Sequence, residues 1–178
     1  MSGIGAKRPL KLLIDTNIWL DYFLGRTNAT GPTVELFSRA AEAEDIALFS
    51  SSLSVKDIYY ILGRTMKADA RRGGALTPET IAAADETAWA CVRLIRQKSI
   101  IASVGADEVF DSFVFKHHYN DFEDDLILGI ANRVDADYVV TGDKDLIKHT
   151  NGVCIDVDQA LRLVGEVNGP QRHPSDLL

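Results

Sequence analysis

Short apolar segments alternate with longer amphipathic ones along most of this chain, and this alternation strongly limits the possible fold. The short runs are typical of buried strands, whereas the segments between them repeat apolar residues every three or four positions, as helices with one buried face do. Such an order favours a parallel sheet covered by helices on both faces. The predicted strands are 11–14, 46–49, 100–104, 138–141 and 153–155. The predicted helices are 18–24, 32–40, 54–66, 77–97, 107–116 and 124–134.

The length of the chain fits one domain with a core of its own. It has 178 residues, of which 46% are hydrophobic and 25% charged, as in ordinary globular proteins. We expect a single domain over residues 1–167, with the helical segment 77–98 as part of it. Residues 67–76 are basic and contain glycine, which predicts a loop. Residues 168–178 contain two prolines and little apolar periodicity, which predicts a loose tail.

Membrane and secretion signals are missing from the sequence. No apolar run approaches the roughly 20 residues that span a bilayer. The first residues contain no apolar segment of the length that signal peptides need. Cys91 and Cys154 lie within apolar stretches, which is typical of small buried residues in a reducing compartment. We therefore expect no membrane partner and a cytoplasmic location.

Four acidic residues follow strands or begin helices at corresponding places in the predicted sheet. Asp15 follows the first strand, and Asp143 follows the fourth. Asp57 is predicted in the first turn of the helix after the second strand, and Asp124 at the start of the helix before the fourth. Ligands of open parallel sheets bind beyond the carboxyl ends of the strands. Carboxylates gathered there repel one another unless a cation lies between them, and such oxygen ligands suit Mg²⁺ or Mn²⁺.

The plain structural alternative is that each of these acids caps a helix. Capping boxes fit residues 54–57 and 121–124, while Asp15 and Asp143 fit simple N-cap positions. Each position taken alone fits capping better than metal binding. The presence of all four acids at one edge of the sheet favours a metal site.

Three segments resemble successive sequence blocks of PIN domains. They are LLIDTNIWLDYFL, SSLSVKDIYYILGR and DFEDDLILGIANRVDADYVVTGDKDL, in the order that the family has them, and they cover most of residues 10–150. The resemblance implies an α/β fold of three layers, α/β/α, with a parallel central sheet of four to five strands. Asp15, Asp57, Asp124 and Asp143 match the acidic quartet of the family and are the expected catalytic residues. The second acid is usually glutamate, so Asp57 is one methylene shorter.

The same resemblance implies supporting residues and metal ligands. Asn17 and Thr141 match the polar supporting positions. Asp125 and Asp145 are immediate alternatives to the acids next to them. The expected metal ligands are Asp15, Asp124 and Asp143, with Asp57 acting through water or taking a proton.

The function that the resemblance implies is hydrolysis of RNA phosphodiesters with Mg²⁺ or Mn²⁺. Some PIN domains are VapC-like toxins, so the expected partners are RNA, a small antitoxin protein and a second copy of the chain. The net charge of −7 argues against a nucleic-acid partner unless cations and a local basic rim offset it. The residues of that predicted rim are Lys56, Arg64, Lys67, Arg71, Arg72, Lys116, His117, His118 and Lys144.

Two other functions compete with this hypothesis. One is a catalytically weak PIN domain that binds RNA or protein, which the short acid at Asp57 and the acidic net charge favour. The other is a phosphatase of the haloacid-dehalogenase type, which also has an aspartate after its first strand. Those enzymes need a second aspartate two residues further on, where this chain has Asn17.

Overall fold

A parallel sheet of five strands forms the centre of the fold. The computed structural model describes residues 8–26, 30–115 and 121–168. The strand order across the sheet is β3-β2-β1-β4-β5, and every neighbouring pair is parallel. The predicted fold class, a parallel sheet between helical layers, is confirmed. The strands are β1 (Leu10–Ile14), β2 (Ile46–Ser51), β3 (Ile100–Ala102), β4 (Tyr138–Val140) and β5 (Cys154–Ile155).

Eight helices surround this sheet in the described part of the chain, and two of them were not predicted. The six predicted helices occur with somewhat different ends, and the prediction missed the helices at 144–149 and 157–168. The helices are α1 (Thr16–Leu24), α2 (Thr30–Glu42), α3 (Ser52–Arg72), α4 (Pro78–Lys98), α5 (Ala106–Phe115), α6 (Phe122–Val134), α7 (Lys144–His149) and α8 (Val157–Asn168). The predicted loose tail lies almost wholly outside the described residues, apart from Asn168.

The central strand β1 explains why the fold has three layers. Leu12, Leu13 and Ile14 are completely buried, yet successive residues of a strand point to opposite faces. Leu12 and Ile14 pack into one apolar cluster with α1, α2, α3 and α8. Leu13 packs into a second cluster with residues of α6 and α7. Because both faces of β1 are apolar, helices must cover both.

Helices α3 and α4 form a long antiparallel pair. The predicted loop at 67–76 is wrong for its first six residues, because the helix-forming residues up to Arg72 continue α3 as far as Gly73. Thr77 and Thr80 then form a reciprocal capping box that begins α4. None of the described helices is long and apolar enough to cross a bilayer.

Buried polar groups join α1 to the sheet. The indole Nε1 of Trp19 donates to Ser50 Oγ at 3.0 Å, and Ser50 Oγ lies 2.8 Å from Ser99 Oγ. The Trp19 ring stacks on Phe37 with centroids 4.3 Å apart, and it is fully buried. These contacts hold the start of α1, which carries Asn17, against the end of β2, which leads into the helix that carries Asp57.

The two tryptophans allow the same substitution to be compared at a buried and an exposed position. Trp19→Phe removes ring volume and a buried hydrogen bond, so we expect it to lower the free energy of unfolding by about 2 kcal/mol. Trp89 is 50% exposed, so Trp89→Phe should change stability by less than about 0.5 kcal/mol. Urea denaturation with an unchanged m-value measures both. Equal losses in the two variants would contradict the described packing.

Candidate metal centre

Asp15 lies where β1 ends and α1 begins. One carboxyl oxygen, Oδ1, accepts the backbone N–H of Thr16 at 2.6 Å, which caps the helix. The other oxygen, Oδ2, accepts Asn17 Nδ2 at 2.6 Å and Thr141 Oγ1 at 2.7 Å. Burial raises the pKa of Asp15, and the nearby carboxyl of Asp143 raises it further, although the hydrogen bonds oppose this rise. Asp15 is therefore a helix cap and also a carboxyl group held beside another.

Asn17 and Thr141 connect the ends of the two adjacent strands β1 and β4. Asn17 Nδ2 donates to Thr141 Oγ1 at 3.0 Å, and Asn17 Oδ1 accepts the backbone N–H of Gly142 at 2.8 Å. Thr141 Oγ1 also accepts the N–H of Asp143 at 3.1 Å. Both side chains thus touch the acidic residues beside them. This is the arrangement expected of positioning residues.

Asp143 forms the N-cap of α7. Its Oδ1 accepts the backbone N–H groups of Asp145 and Leu146 at 2.8 and 3.0 Å. Within the described chain, no hydrogen bond or ion pair engages the other carboxyl oxygen. Asp145 is exposed on the first turn of α7, and its carboxyl forms no hydrogen bond or ion pair within the described residues. The geometry therefore distinguishes these two neighbouring acids.

Asp124 is the third residue of α6, and a different acid caps that helix. Asp121 accepts the N–H groups of Glu123 and Asp124 at 2.9 and 3.3 Å. Burial, followed by the charges of Asp121, Asp15 and Asp143, raises the pKa of Asp124 to about 7. No described group donates a hydrogen bond to its carboxyl. Asp124 is thus held in a group of like charges without a capping role of its own.

Asp125 lies in different surroundings from Asp124. It is 2% exposed, and one carboxyl oxygen has no hydrogen-bond partner in the described chain. Burial raises its pKa, with Asp121 as the second cause, and neither Asp15 nor Asp143 contributes. Asp124, and not Asp125, therefore lies within electrostatic range of Asp15 and Asp143.

Asp57 lies one turn further along α3 than predicted. The N-cap is Ser51, whose side chain accepts the N–H of Leu53 at 3.1 Å, so the capping box predicted at 54–57 is wrong. Several serines precede the helix, and the sequence pattern alone does not show which of them caps it. Asp57 Oδ1 lies 2.8 Å from Lys56 Nζ. Glu123 of α6 lies within electrostatic range of Asp57.

Glu123 was not among the predicted site residues. Burial raises its pKa, and the next causes are the charges of Asp57 and then Asp15. Glu123 therefore lies within electrostatic range of both acids and connects Asp57 to the rest of the site. The sequence places Glu123 next to Asp124, but only the packing of α6 brings it within electrostatic range of Asp57 on α3.

The chemistry of this cluster fits a hydrated divalent cation. Its donors are carboxylate oxygens, which Mg²⁺ and Mn²⁺ prefer, and a cation would offset the repulsion that raises the pKa of Asp124. The Thr16 Oγ1 atom beside Asp15 is buried without a hydrogen-bond partner in the described chain. No three acidic, histidine or cysteine side chains among the described residues lie close enough to hold one cation together. Water would therefore supply several ligands, as it commonly does for Mg²⁺.

The predicted RNA-contacting rim is partly described. Lys56 lies beside the acidic cluster, and Arg64, Lys67 and Arg71 line one cavity on α3. Arg72 forms an ion pair with Asp69 instead. Lys144 is exposed at the start of α7. Three other predicted rim residues, Lys116, His117 and His118, lie outside the described residues.

The sequence pattern of the PIN domain matches residues 11–145 of this chain. The match includes every acid of the cluster and three quarters of the chain. The protein therefore belongs to the PIN domain family, as its sequence blocks predicted. No curated protein matches the chain.

Several solved structures have a fold similar to that of this chain. VapBC2 from Rickettsia felis, solved bound to a promoter DNA fragment, aligns with 83% of this chain and 98% of its own at 14% identity and a TM-score of 0.57. A toxin–antitoxin complex from Klebsiella pneumoniae aligns over 82% and 97% at 17% identity and a TM-score of 0.52. VapC20 from Mycobacterium tuberculosis, a sarcin-ricin loop cleaving toxin, aligns over 78% and 95% at 15% identity and a TM-score of 0.51. At these identities the likeness shows a shared fold.

The clustered acids predict how stability depends on pH. An acid whose pKa is higher in the folded than in the unfolded state makes folding less favourable as pH rises between those two values. Without divalent metal, the contribution of Asp124 to the free energy of unfolding should therefore fall as the pH rises from about 4 to 7. Denaturant unfolding across this range should show a shallower fall for Asp124→Asn than for the unchanged protein. Identical pH profiles would contradict the clustering.

Proposed function

We propose that this protein is an endoribonuclease that hydrolyses RNA phosphodiesters with Mg²⁺ or Mn²⁺. The observation that carries the proposal is that Thr141 Oγ1 contacts both the carboxyl of Asp15 and the backbone N–H of Asp143, while the charges of both acids raise the pKa of Asp124 on a third segment. Neighbouring charges that raise the pKa values of Asp15 and Asp124 lower the stability of the folded protein, and a functional cation would offset this cost. We propose that these three carboxylates hold the cation, some of them through its bound water, because the described side chains do not come close enough for three of them to bind one cation directly.

The chain's own residues orient the ligands and restrict their movement. Asn17 and Thr141 hold one oxygen of Asp15, and two backbone N–H groups of α7 hold one oxygen of Asp143. Preorganised ligands of this kind reduce the reorganisation needed when substrate and metal bind. A divalent cation bound there supplies Lewis acidity, lowering the pKa of water and offsetting the charge of the phosphate.

Asp57 and Glu123 extend the acidic cluster beyond the three proposed ligands. Asp57 is shorter than the glutamate usual in the family and is paired with Lys56. Glu123 lies within electrostatic range of Asp57 and of Asp15. We propose that these two carboxylates hold water molecules of the metal shell, and that Glu123 compensates for the shorter side chain of Asp57.

Support for a toxin function comes from the structural relatives. One of them is described as a toxin–antitoxin complex, and another is described as a sarcin-ricin loop cleaving toxin. We therefore propose that this chain cleaves RNA as the toxin of such a pair and is neutralised by a small antitoxin protein. The unpaired Cys91 and Cys154 fit the reducing cytoplasm, where such a target is found. Self-association into a homodimer stays a prediction.

The competing proposal is a PIN domain that binds RNA or protein with little catalysis. The ion pair between Asp57 and Lys56 favours it, since a paired carboxylate is less available for metal-bound water. Cleavage and metal-binding measurements distinguish the two proposals.

Asp143→Asn tests the catalytic role with a nearly isosteric change. The Asn carbonyl oxygen can still accept both backbone N–H groups at the start of α7, and Asn caps helices as well as Asp does. We expect unchanged or slightly higher stability in the absence of metal. Cleavage of a mixed RNA panel should fall at least about 100-fold, equivalent to roughly 3 kcal/mol of transition-state stabilisation.

Asp145→Asn is the matched control for this variant. It removes one negative charge two residues away, from an exposed side chain outside the cluster. Cleavage should stay within about twofold of the unchanged protein, and all preparations should be purified in parallel to detect contaminating ribonuclease. Full activity in Asp143→Asn, with cleavage by the unchanged protein intact, would exclude Asp143 from the active site.

Metal binding should stabilise the folded protein. A cation that binds the folded state alone raises the melting temperature by mass action, and here it also relieves carboxylate repulsion. We expect millimolar Mn²⁺ or Mg²⁺ to raise the melting temperature at pH 7.5, and we expect this increase to shrink in Asp124→Asn and Asp143→Asn but not in Asp145→Asn. Titration calorimetry measures the same binding directly. An unchanged melting temperature together with no heat of binding would exclude the metal site.

A further inference from the structure

A row of basic and aromatic side chains runs along α3 from the acidic cluster. Its members are spaced three or four residues apart, so they lie on one face of the helix. The first and last are 15 residues apart, a distance of about 22 Å along the axis, or room for roughly six stacked nucleotides at 3.4 Å each. We name this row the α3 stripe, and it consists of Lys56, Tyr60, Arg64, Lys67 and Arg71.

The stripe lines a cavity rather than a flat surface. A cavity of about 560 Å³ is bounded by four residues of the stripe, together with Tyr59 of α3 and Asp85 of α4. Lys67 Nζ lies 2.6 Å from Asp85 Oδ1. No acidic side chain of the described chain forms an ion pair with Arg64 or Arg71, and both are exposed. Two guanidinium groups therefore remain available for an anionic ligand in a protein of net charge −7.

Aromatic rings are exposed beside these cations. Tyr60 is 65% exposed and Trp89 of α4 is 50% exposed. The Tyr59 ring lies between them, with centroid distances of 5.3 Å to Tyr60 and 5.2 Å to Trp89. Large exposed rings next to arginines match the surfaces on which nucleic-acid bases stack while cations contact the phosphates.

The stripe is continuous with the acidic cluster. Lys56, its first residue, contacts the carboxyl of Asp57 at 2.8 Å. The pKa of Lys56 is raised chiefly by that hydrogen bond, and the charge of Glu123 contributes as well. Glu123 is in turn within range of Asp15. A polymer bound along the stripe therefore reaches the acidic cluster at the Lys56 end.

We propose that the α3 stripe binds the single-stranded segment of RNA that adjoins the scissile phosphate. Arg64 and Arg71 contact the phosphates, and the bases stack on Tyr60 and Trp89. This inference rests on the proposed ribonuclease function, since it identifies where that substrate lies. An acidic peptide would also be attracted to the arginines, but it does not use exposed ring faces or require continuity with the acidic cluster.

The first test measures RNA binding in a background that does not cleave. All proteins carry Asp143→Asn, and the probe is a fluorescein-labelled, unstructured 12-nucleotide RNA in Mg²⁺ buffer, followed by fluorescence anisotropy over a range of salt. Arg64→Ala with Arg71→Ala should weaken binding about 10-fold. It should also reduce the slope of log affinity against log salt by about 1.4, which is about 0.7 for each lost phosphate contact.

The matched control also removes two arginines, but from α4 and from positions outside the cavity. Arg93 and Arg96 of α4 are exposed and do not line the cavity. Arg93→Ala with Arg96→Ala should change the RNA affinity less than twofold. Equal weakening by the two double variants would overturn the proposal, because it would reveal a general effect of net charge.

A second comparison tests base stacking. Tyr60→Ala should weaken RNA binding about 10-fold, whereas Tyr60→Phe retains the ring and should bind within twofold of the background protein. Equal affinities for the Ala and Phe variants would contradict stacking on Tyr60. A polyglutamate peptide that binds more tightly than the RNA, and loses affinity in the double arginine variant, would assign the stripe to an acidic protein partner instead.

Cleavage kinetics with Asp143 intact separate this inference from the proposed function. The double arginine variant should raise KM about 10-fold and leave kcat within twofold, since it removes substrate binding away from the reacting phosphate. If the double arginine variant cleaves RNA with unchanged KM and unchanged RNA affinity, the proposal for the α3 stripe is overturned and the ribonuclease proposal is not. Absence of cleavage in every protein, with stripe-dependent RNA binding retained, would overturn the ribonuclease proposal and leave RNA binding at the stripe supported.

Discussion

Parallel pairing of β1 with β4 is the interaction on which the candidate site depends. Ile14 lies opposite Val140 in this pair, so the residues that follow the two strands emerge side by side. Asp15 N–H donates to the carbonyl of Val140 at 3.0 Å, and the Asn17 side chain then connects Asp15 to Thr141 and Gly142. Helix α6 adds Asp124 to the cluster. A change in the β1–β4 register would separate the proposed ligands even if every helix formed normally.

Helix capping and metal binding are compatible roles in this site. Asp15 and Asp143 each use one oxygen to cap a helix, and Asp143 keeps its second oxygen free of described partners. The cap limits the rotation of the carboxyl group, and therefore contributes to its orientation toward a cation. Asp124 makes no such bond, and its pKa rises to about 7 because burial and neighbouring charges are not offset. The capping alternative therefore describes local geometry correctly without excluding the metal site.

Much of the fold was predictable from local patterns, and the misses have local causes. Fully buried strands such as Leu12–Leu13–Ile14 leave an unmistakable apolar run. Helix α7 has only six residues and four polar ones, so its periodicity is weak. Helix α8 is different, because it carries apolar residues at helical spacing, including Ala160 and Val164, and this pattern is sufficient to predict a helix. The end of α3 was missed because its last turns are exposed and charged, and apolar periodicity reports only buried faces.

The sequence by itself determined the parallel α/β fold, the PIN family blocks and the set of acids from which a metal site could be built. These features follow from the type and spacing of residues within single segments of the chain. Only the tertiary structure decided which acid of each adjacent pair joins the cluster. Asp124 and Asp125 differ by about 100° around α6, and packing against the sheet turns one toward Asp15 and buries the other elsewhere. The surroundings of Glu123 and of the α3 stripe likewise depend on packing between helices. Glu123 of α6 lies within range of Asp57 on α3, and the stripe lies beside Asp85 and Trp89 of α4. No single segment of the sequence contains this information.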